Sequence, residues 1–270
     1  MNDRVVFNIE LSRRDKEKGL ILPTKITKEL AYFSGVLVGD GHIRFRKDER
    51  NYYIKCAGNP KNEKEYYDNI IKPTVKKLFG IEINPRLSDG GTTYGFHFFS
   101  KALLMFLSDI IGLPTGAKSS IIKIPDIFKH DEDLLKSFIC GYADTDFCLT
   151  LKRRYKQIPY YPVIVGVSKS KRIIEEITEY LKNNGFRVSL DLDRKIIDNR
   201  FKRPIKMHRM QIYGHVQLVK WMESIGFRNP RNINKFILWK KRNLNHSRIK
   251  IKIIAGDGIT GINRAHGQAF

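Results

Sequence analysis

A short segment that occurs twice in the 270-residue chain is the feature that most restricts its fold. Residues 34–41 read SGVLVGDG, and residues 140–147 read CGYADTDF in an altered form of the same pattern. Each copy places small residues within an apolar stretch and ends near an aspartate, Asp40 in the first and Asp146 in the second. The two aspartates lie 106 positions apart. This spacing predicts two similar halves related by an internal pseudo-twofold axis.

The segments around the two copies repeat one order of predicted elements. In each half, the periodicity of the apolar residues predicts a helix, two strands, a helix, two strands and a final helix. The glycines that end predicted helices recur at matching places, with Gly80 matching Gly185 and Gly112 matching Gly226. The sequence therefore predicts an α+β fold made of two αββαββα repeats.

This repetition divides the chain into five predicted segments. The two repeats occupy residues 25–113 and 132–246, and residues 114–131 form the linker between them. An N-terminal extension covers residues 1–24, and a C-terminal tail covers residues 247–270. The tail contains neither an amphipathic helix pattern nor paired strands, so we do not expect it to form a third repeat.

Small residues in the two motif helices predict that these helices pack closely. Gly35 and Gly39 lie four positions apart on one helix face, as do Gly141 and Thr145. Small residues at this spacing allow two helix backbones to approach each other. Such packing would bring the aspartate at the end of one helix beside the aspartate at the end of the other.

A pair of carboxylates at two helix ends predicts a metal site. A carboxylate at a helix C-terminus meets the negative end of the helix dipole, and two neighbouring carboxylates also repel each other. Divalent cations relieve both penalties, and oxygen ligands suit Mg²⁺. Carboxylates, metal ions and water are the ingredients of metal-assisted phosphodiester hydrolysis. In a single copy, Gly39-Asp40-Gly41 would equally fit an ordinary turn, and it is the second copy that favours the site.

The charge of the chain predicts a polyanionic partner. Its 50 Lys and Arg residues outnumber its 28 Asp and Glu residues, which gives a formal net charge of +22. Such an excess favours binding to nucleic acid, although a basic ribosomal-type or membrane-surface protein would share it. Strand alternation predicts that basic and polar residues share one sheet face in each half, as would suit a DNA groove. These residues are His42, Arg44 and Arg46 in the first half and Thr150, Lys152 and Arg154 in the second.

Other classes of protein fit the sequence poorly. Its three cysteines form no CxxC pair, which argues against a disulfide framework or a zinc site. No apolar run approaches the ~20 residues that span a bilayer, and the N-terminus lacks the pattern of a signal peptide. We therefore expect no membrane partner and a cytoplasmic, nucleoid-associated protein, with an organellar host as the alternative.

The two repeated segments resemble the paired motifs of the LAGLIDADG homing endonucleases, in their single-chain, two-repeat form. The resemblance covers roughly residues 25–245, and archaeal intron-encoded members look most similar. It implies that the repeats pack through their motif helices and form a saddle of two antiparallel sheets over DNA. It also implies that Asp40 and Asp146 bind the divalent metals, with the preceding Gly39 and Thr145 as further metal contacts.

The second motif also differs from the family pattern, and the family suggests further site residues. Phe147 stands where the pattern has glycine, and Asp144 matches an earlier acidic position that structures the helix pair. The resemblance implies basic catalytic residues after the final helix of each repeat and at the end of the second strand. These candidates are Lys118, Lys235 and Lys169, and the strand-end positions also include Asn59 and Ser168.

The resemblance predicts an enzyme that cuts both strands of a long, non-palindromic DNA target across the minor groove and leaves 3′ overhangs. We expect a monomer that uses two or three Mg²⁺ ions, with Mn²⁺ substituting and Ca²⁺ binding without supporting cleavage. An RNA maturase that binds its intron on the same scaffold is the alternative, whereas a basic structural RNA-binding protein explains the charge but not the repeated acids. The predicted DNA-binding residues are His42, Arg44, Arg46, Lys55, Asn59, Arg86, Thr150, Lys152, Arg154, Ser168, Lys195 and His208.

Overall fold

The computed structural model of the chain describes residues 8–46, 51–153, 160–198 and 202–244. Within these ranges the elements follow the predicted order, with a motif helix, a hairpin, a helix, a second hairpin and a helix in each half. The predicted α+β fold class is confirmed. Arg154 and the predicted tail, residues 247–270, lie outside the described residues.

The first half is built on a motif helix that begins after Thr27, whose hydroxyl accepts a hydrogen bond from the Leu30 amide. This cap satisfies one of the free amides of the first turn. A short helix, α1 (Arg13–Glu17), precedes the motif helix. The elements that follow are α2 (Lys28–Gly39), β1 (Gly41–Arg46), β2 (Asn51–Gly58), α3 (Pro60–Tyr66), α4 (Lys72–Phe79), β3 (Arg86–Ser88), β4 (Thr93–Phe99) and α5 (Lys101–Met105).

The second half repeats this order and adds one helix. Its elements are α6 (Glu132–Asp146), β5 (Phe147–Lys152), β6 (Tyr161–Ser168), α7 (Lys171–Asn183), β7 (Val188–Asp198), β8 (Arg203–Tyr213), α8 (His215–Ser224) and α9 (Pro230–Leu244). Helix α9 was not predicted, and the corresponding stretch after the first half contains only a short 3₁₀ turn, Asp126–Phe128. None of the helices in the described ranges is long and apolar enough to cross a membrane.

Proline explains two local departures from regular structure in the first half. A π turn at Tyr67–Ile71 joins α3 to α4, just before Pro73, which has no amide hydrogen to continue the α-helical ladder. Strand β3 has only three residues, because Pro85 directly precedes it and cannot donate to a neighbouring strand.

The two sheets have the same topology, and each starts at a motif aspartate. Their strand orders are β1-β2-β4-β3 and β5-β6-β8-β7, with every pairing antiparallel. Strand β1 begins at Gly41, directly after Asp40, and β5 begins at Phe147, directly after Asp146. The end strand of each sheet therefore leads away from the junction of the two halves.

Helices α2 and α6 pack so closely that only glycine fits at two positions. A Cβ atom on Gly35 would lie 2.2 Å from the Phe138 carbonyl oxygen, and one on Gly141 would lie 1.9 Å from the Tyr32 carbonyl oxygen. Both distances are far shorter than a carbon–oxygen contact allows, and both partners are backbone atoms of the opposite helix. The predicted close approach of the motif helices is thus observed.

Phe147, which replaces the motif glycine, is a core residue. Its side chain is fully buried, and its ring lies against Tyr142, Trp221 and the backbone of Gly166. In the first motif a Cβ on Gly41 would lie 2.4 Å from the Leu37 carbonyl oxygen, so glycine is required there. The second helix instead continues through its aspartate and passes directly into extended backbone. The two motif ends are therefore similar without being identical.

Candidate active site and nucleic-acid interface

The packing of the motif helices brings Asp40 and Asp146 to one place. At this end of the helix pair, a Cβ on Gly39 would lie 1.9 Å from the Thr145 hydroxyl oxygen and 3.1 Å from an Asp146 carboxylate oxygen. The two acids also interact electrostatically, since the charge of Asp146 is among the causes that raise the pKa of Asp40. The structure therefore places the two predicted metal-binding acids side by side.

The surroundings of Asp40 favour its protonated form. Burial is the largest cause that raises its pKa, to about 8, and the charges of Glu63 and Asp146 act in the same direction. The Tyr67 hydroxyl donates a hydrogen bond to an Asp40 carboxylate oxygen at 3.1 Å and opposes this rise. A divalent cation between the two aspartates would stabilise both of them in the ionised form.

Asp146 shares this environment but is more accessible. Desolvation raises its pKa to about 6, while Lys118 and the hydroxyl of Tyr142 lower it. Because the Asp146 side chain is exposed at the helix end, water offsets part of the desolvation. The charged form is therefore less costly at Asp146 than at the half-buried Asp40.

The raised pKa of Asp40 predicts a pH-dependent gain in stability for Asp40→Asn. Well below pH 4, Asp40 is protonated in both the folded and the unfolded chain, so its ionisation does not affect stability. As the pH rises towards 8, the unfolded chain releases this proton and the folded chain retains it, so the wild-type protein loses stability. Asparagine cannot ionise. Because Asp40 is half-buried, water screens much of this shift, and we expect Asp40→Asn in EDTA to melt ~2–4 °C above wild type at pH 8, a gain of ~1 kcal/mol, and to show no such advantage at pH 3.

A matched variant tests whether this gain comes from the site. Asp133 lies on α6, is exposed and pairs with Lys28 at 2.7 Å. Asp133→Asn should change the melting temperature little, because exposed ion pairs contribute little. Equal melting temperatures for Asp40→Asn and wild type across this pH range would contradict the raised pKa.

Lys118 lies beside the two aspartates and caps the first motif helix. Its ammonium donates hydrogen bonds to the carbonyl oxygens of Leu37 at 2.6 Å, Val38, and Gly39 at 3.0 Å. These carbonyls lie in the last turn of the helix, where a cation is favourable. Burial lowers the pKa of Lys118 to about 8. The predicted catalytic lysine is therefore at the site, with its donors directed at the helix end.

Arg231 plays the corresponding part at the second motif helix. Its Nη2 atom lies 3.3 Å from the Asp144 carbonyl oxygen, 3.4 Å from that of Thr145 and 3.1 Å from that of Phe147. Arg231 lies in the first turn of helix α9, the element that only the second half contains. Each motif helix therefore ends on a cation, supplied by the segment after α5 in the first half and by the segment after α8 in the second.

At the second helix end the position of Lys118 is taken by Arg231 and not by Lys235, whose predicted catalytic role stays a prediction. The Lys235 ammonium contacts the Cys148 sulfur at 3.2 Å, on strand β5, whereas Arg231 reaches the helix end. Spacing could have revealed this, since Lys118 stands six residues after the glycine that ends its preceding helix and Arg231 stands five.

Glu63 is a buried acidic residue of the site that sequence reasoning missed. One carboxylate oxygen accepts from Arg231 at 2.9 Å and from the Asn229 side chain at 3.3 Å, and the other accepts from the Asn59 amide at 2.7 Å. Glu63 thus joins helix α3 of the first half to helix α9 of the second. Its sequence context, a run of charged residues, contains no signal for such a contact.

The predicted strand-end residues occupy structural positions around this site. The Asn59 side chain accepts from the Lys61 amide and caps α3, and Asn59 is exposed. Ser168 is buried, and its hydroxyl accepts from the Ser170 amide. Lys169 is half-buried between β6 and α7. Their predicted roles in catalysis and DNA binding stay predictions, and for Ser168 burial leaves little surface for DNA.

Asp144, which the resemblance gave a role in structuring the helix pair, joins the second motif helix to the first and to the segment just before α9. It is fully buried and accepts from the Tyr32 hydroxyl at 2.7 Å and from the amides of Arg228 and Asn229, both at 3.0 Å. Burial raises its pKa to about 6, and the two amides oppose this rise. Three donors from both halves thus converge on one carboxylate.

Asp144→Ala is therefore expected to destabilise the fold. The substitution leaves a buried hydroxyl and two amides without their acceptor, which costs ~2–4 kcal/mol. Chemical denaturation at pH 7 measures this loss. Asp133→Ala is the control, because it removes an exposed carboxylate from the same helix. Similar denaturation midpoints for the two variants would show that Asp144 does not hold the helices together.

The donor set of the site fits a cation shared with a phosphate. Among the described residues, no group of three or more His, Cys, Asp or Glu side chains is close enough to hold a metal ion. Mg²⁺ is commonly bound by one or two carboxylates together with phosphate oxygens and water, which matches Asp40 and Asp146. The carbonyls of Gly39 and Thr145, predicted as further metal contacts, already accept from the capping lysine and arginine.

The first sheet has an open face that carries the predicted basic residues. The pairing of His42 with Lys55, and of Lys55 with His97, places these three residues on one side. Ile43, which alternates with them, is buried. We call this side the first sheet face, and it contains His42, Arg44, Arg46, Tyr53, Lys55, Arg86 and His97. All five basic residues predicted for this sheet therefore lie together.

The second sheet has a corresponding open face. Thr150 and Lys152 lie on it, whereas Leu149, which alternates with them along β5, is buried. The ammonium of Lys152 lies 5.9 Å above the Tyr213 ring. Strand pairing adds residues from β8 that were not predicted. We call this the second sheet face, and it contains Thr150, Lys152, Arg209, Gln211 and Tyr213.

His208, a predicted DNA contact, is turned away from the second sheet face, and its role in DNA binding stays a prediction. This residue is 4% exposed and lies on the opposite side of β8, in alternation with the buried Met210. Its Nδ1 atom accepts a hydrogen bond from the Asp193 amide at 3.1 Å. The neighbouring Arg209 faces outward instead and pairs with Asp191 at 2.8 Å.

A β-bulge moves Lys195 to the other side of its strand. The register of β7 against β8 shifts between Asp191 and Arg194, so that Arg194 pairs with Met207 and Lys195 pairs with Lys206. One inserted residue reverses which side chains face each way. Lys195 is exposed, but alternation places it opposite to the second sheet face.

Comparison by sequence finds one distant relative. No protein-family model matches the chain. Reverse gyrase from Methanocaldococcus jannaschii is 23% identical to it over 203 residues, and the match covers 71% of this chain and 11% of that protein. The chain thus spans about a ninth of the length of this curated relative.

Comparison by structure defines the fold. A variant of the homing endonuclease I-DmoI, in complex with nicked target DNA and manganese, matches with a TM-score of 0.50 and 18% identity over 73% of this chain and 94% of that one. I-DmoI with DNA and calcium matches with a TM-score of 0.51 and 17% identity over 78% of this chain and 96% of that one. The chain has the fold of the LAGLIDADG homing endonucleases.

Proposed function

We propose that this protein is a site-specific DNA endonuclease that hydrolyses one phosphodiester bond in each strand of its target. The observation that carries the proposal is the meeting of Asp40 and Asp146 at the ends of two packed helices. An open sheet face with basic residues leads away from each of them. The I-DmoI structures of the same fold are complexes with DNA, which supports DNA as the partner.

In this proposal the two aspartates hold divalent cations, with Mg²⁺ as the physiological ion. When bound, the metal supplies a Lewis acid for the phosphate and lowers the pKa of a water molecule. Lys118 and Arg231 hold the two helix ends in position and place positive charge beside the reacting phosphates. Tyr67 orients the Asp40 carboxylate through its hydrogen bond.

The two sheet faces supply target recognition. Arginine and lysine read guanine edges in the major groove, so Arg44, Lys152 and Arg209, which face outward, are suited to base contacts. The faces of the two sheets carry different residues, which favours a non-palindromic target. Both motifs belong to one chain, so a monomer suffices to cut both strands and, as in the family it resembles, to leave 3′ overhangs.

A cleavage selection from random sequences tests the proposal and identifies the target at the same time. Supercoiled plasmids with randomised inserts are incubated with the protein in Mg²⁺, and linear products are recovered and sequenced. We expect one long, asymmetric consensus, and no linear product in EDTA. Products without a consensus, or cleavage that persists in EDTA, would contradict a metal-dependent, site-specific endonuclease.

A further inference from the structure

A basic cavity lies between the N-terminal segment and the far end of the first sheet. Its volume is about 630 Å³. Arg14 and Lys18 reach it from the N-terminal segment, and Lys101 reaches it from the start of α5. The described residues that line it include these three cations and no acidic side chain. The cavity therefore suits an anionic ligand.

The cavity adjoins the first sheet face at the end remote from the aspartates. Strand β1 leaves Asp40 and ends at Arg46, which pairs with Asn51. At ~3.3 Å per residue, this end lies ~17–20 Å along the strand from the acids. Asn51 lines the cavity together with Phe99, and both alternate onto the side of Tyr53, which pairs with Phe99. Lys18 lies over Phe98 and Lys101 over Tyr52, which alternate onto the other side of the sheet, so a ligand that runs past the end of the first sheet face would reach these cations around the sheet end.

The side chains of the cavity are arranged as in a binding site. The Lys101 ammonium lies 6.0 Å from the centre of the Tyr52 ring, so an aromatic surface supports one of the cations. Phe99 leaves half of its side chain exposed. The Oδ1 atom of Asn51 is buried and has no hydrogen-bond partner within the described ranges. Buried polar atoms are nearly always paired, so a ligand or a water molecule is needed here.

We propose that this cavity binds backbone phosphates of duplex DNA that flank the bases read by the first sheet face. The N-terminal segment would then extend the DNA interface beyond the two repeats. This inference rests on the proposed function, because it takes duplex DNA as the partner of the sheet face. The continuity of the cavity with that face favours a long polyanion over a small free anion.

Salt dependence of duplex binding tests the inference. Each phosphate contact contributes about 0.9 to the slope of log K against log salt concentration. The triple variant Arg14→Gln/Lys18→Gln/Lys101→Gln should therefore reduce the slope by about 2 to 3, measured with non-cleaved duplex in EDTA. Arg13→Gln is the matched control. Arg13 lies on the same helix, is 93% exposed and pairs with Glu17 at 2.8 Å. The salt slope of the Arg13→Gln variant should therefore match that of the wild-type protein.

Protection of lysines in the wild-type protein gives a second measurement that needs no variant. Duplex DNA should shield Lys18 and Lys101 from acetylation, while the exposed Lys16 on α1 remains reactive. An unchanged salt slope in the triple variant would overturn the inference. So would an acetylation experiment in which inorganic phosphate alone protects the two lysines and duplex DNA protects them no further. If the wild-type protein does not bind duplex DNA at all, the proposed function itself fails.

Discussion

Asp40→Asn is expected to lower the rate of target cleavage by ~10³-fold or more while leaving duplex binding unchanged. Asparagine keeps the shape of the side chain and removes the charge that would hold a divalent cation. A bound metal contributes several kcal/mol to charge stabilisation in the transition state, and each ~1.36 kcal/mol changes the rate tenfold. Cleavage of the target recovered by selection, measured in Mg²⁺ under single-turnover conditions, gives the rate.

The same variant separates loss of chemistry from loss of structure. Because the pKa of Asp40 is raised, Asp40→Asn is expected to be more stable than wild type at pH 8 in EDTA, so inactivity could not be attributed to unfolding. Asp133→Asn should cleave at the wild-type rate, since Asp133 lies on the first turn of α6, far along the helix from Asp146. Wild-type cleavage by Asp40→Asn would show that Asp40 is not a metal ligand.

Gly141→Ala is expected to cause a large loss of stability, although it adds a single methyl group. In an ordinary helix this change would stabilise by ~1 kcal/mol, because alanine is the better helix former. Here the added Cβ would lie 1.9 Å from the Tyr32 carbonyl oxygen, a backbone atom that cannot turn aside. The helices must separate, at a cost of ~3 kcal/mol or more. Denaturant unfolding measures the difference.

Ser137→Ala provides the control for helix propensity. Ser137 is half-buried on the same helix, and its hydroxyl donates to the Asp133 carbonyl oxygen within that helix. Its replacement should change stability little or raise it. A stabilising effect of Gly141→Ala would mean that α2 and α6 do not pack through their glycines. In that case the position of the two aspartates would also have to be revised.

Local sequence patterns were enough to predict the regular strands and the close packing of the motif helices. Alternation along β1 correctly grouped His42, Arg44 and Arg46, because side chains of a regular strand point to opposite sides with period two. The same rule failed on β7, where the bulge between Asp191 and Arg194 reversed the side of Lys195. A bulge depends on pairing with a neighbouring strand, so the sequence of one strand does not reveal it.

The cations of the site show a second limit of sequence reasoning. Lys118 could be found because it follows a recognisable helix end, but its counterpart is Arg231 and not Lys235. The choice depends on which side chain, at the start of α9, reaches the carbonyls of α6. No feature of the sequence indicated that Glu63 belongs to the site, because its partner Arg231 is separated from it by most of the chain.

The sequence by itself determined the repeated α+β architecture, the pairing of two motif helices, and which two aspartates lie at the ends of those helices. These follow from composition, spacing and periodicity, which act over a few residues or repeat along the chain. Only the tertiary structure decided what surrounds the aspartates, which cation caps each motif helix, and which side of β8 faces outward. These depend on contacts between distant segments, and such contacts form only when the two halves pack together.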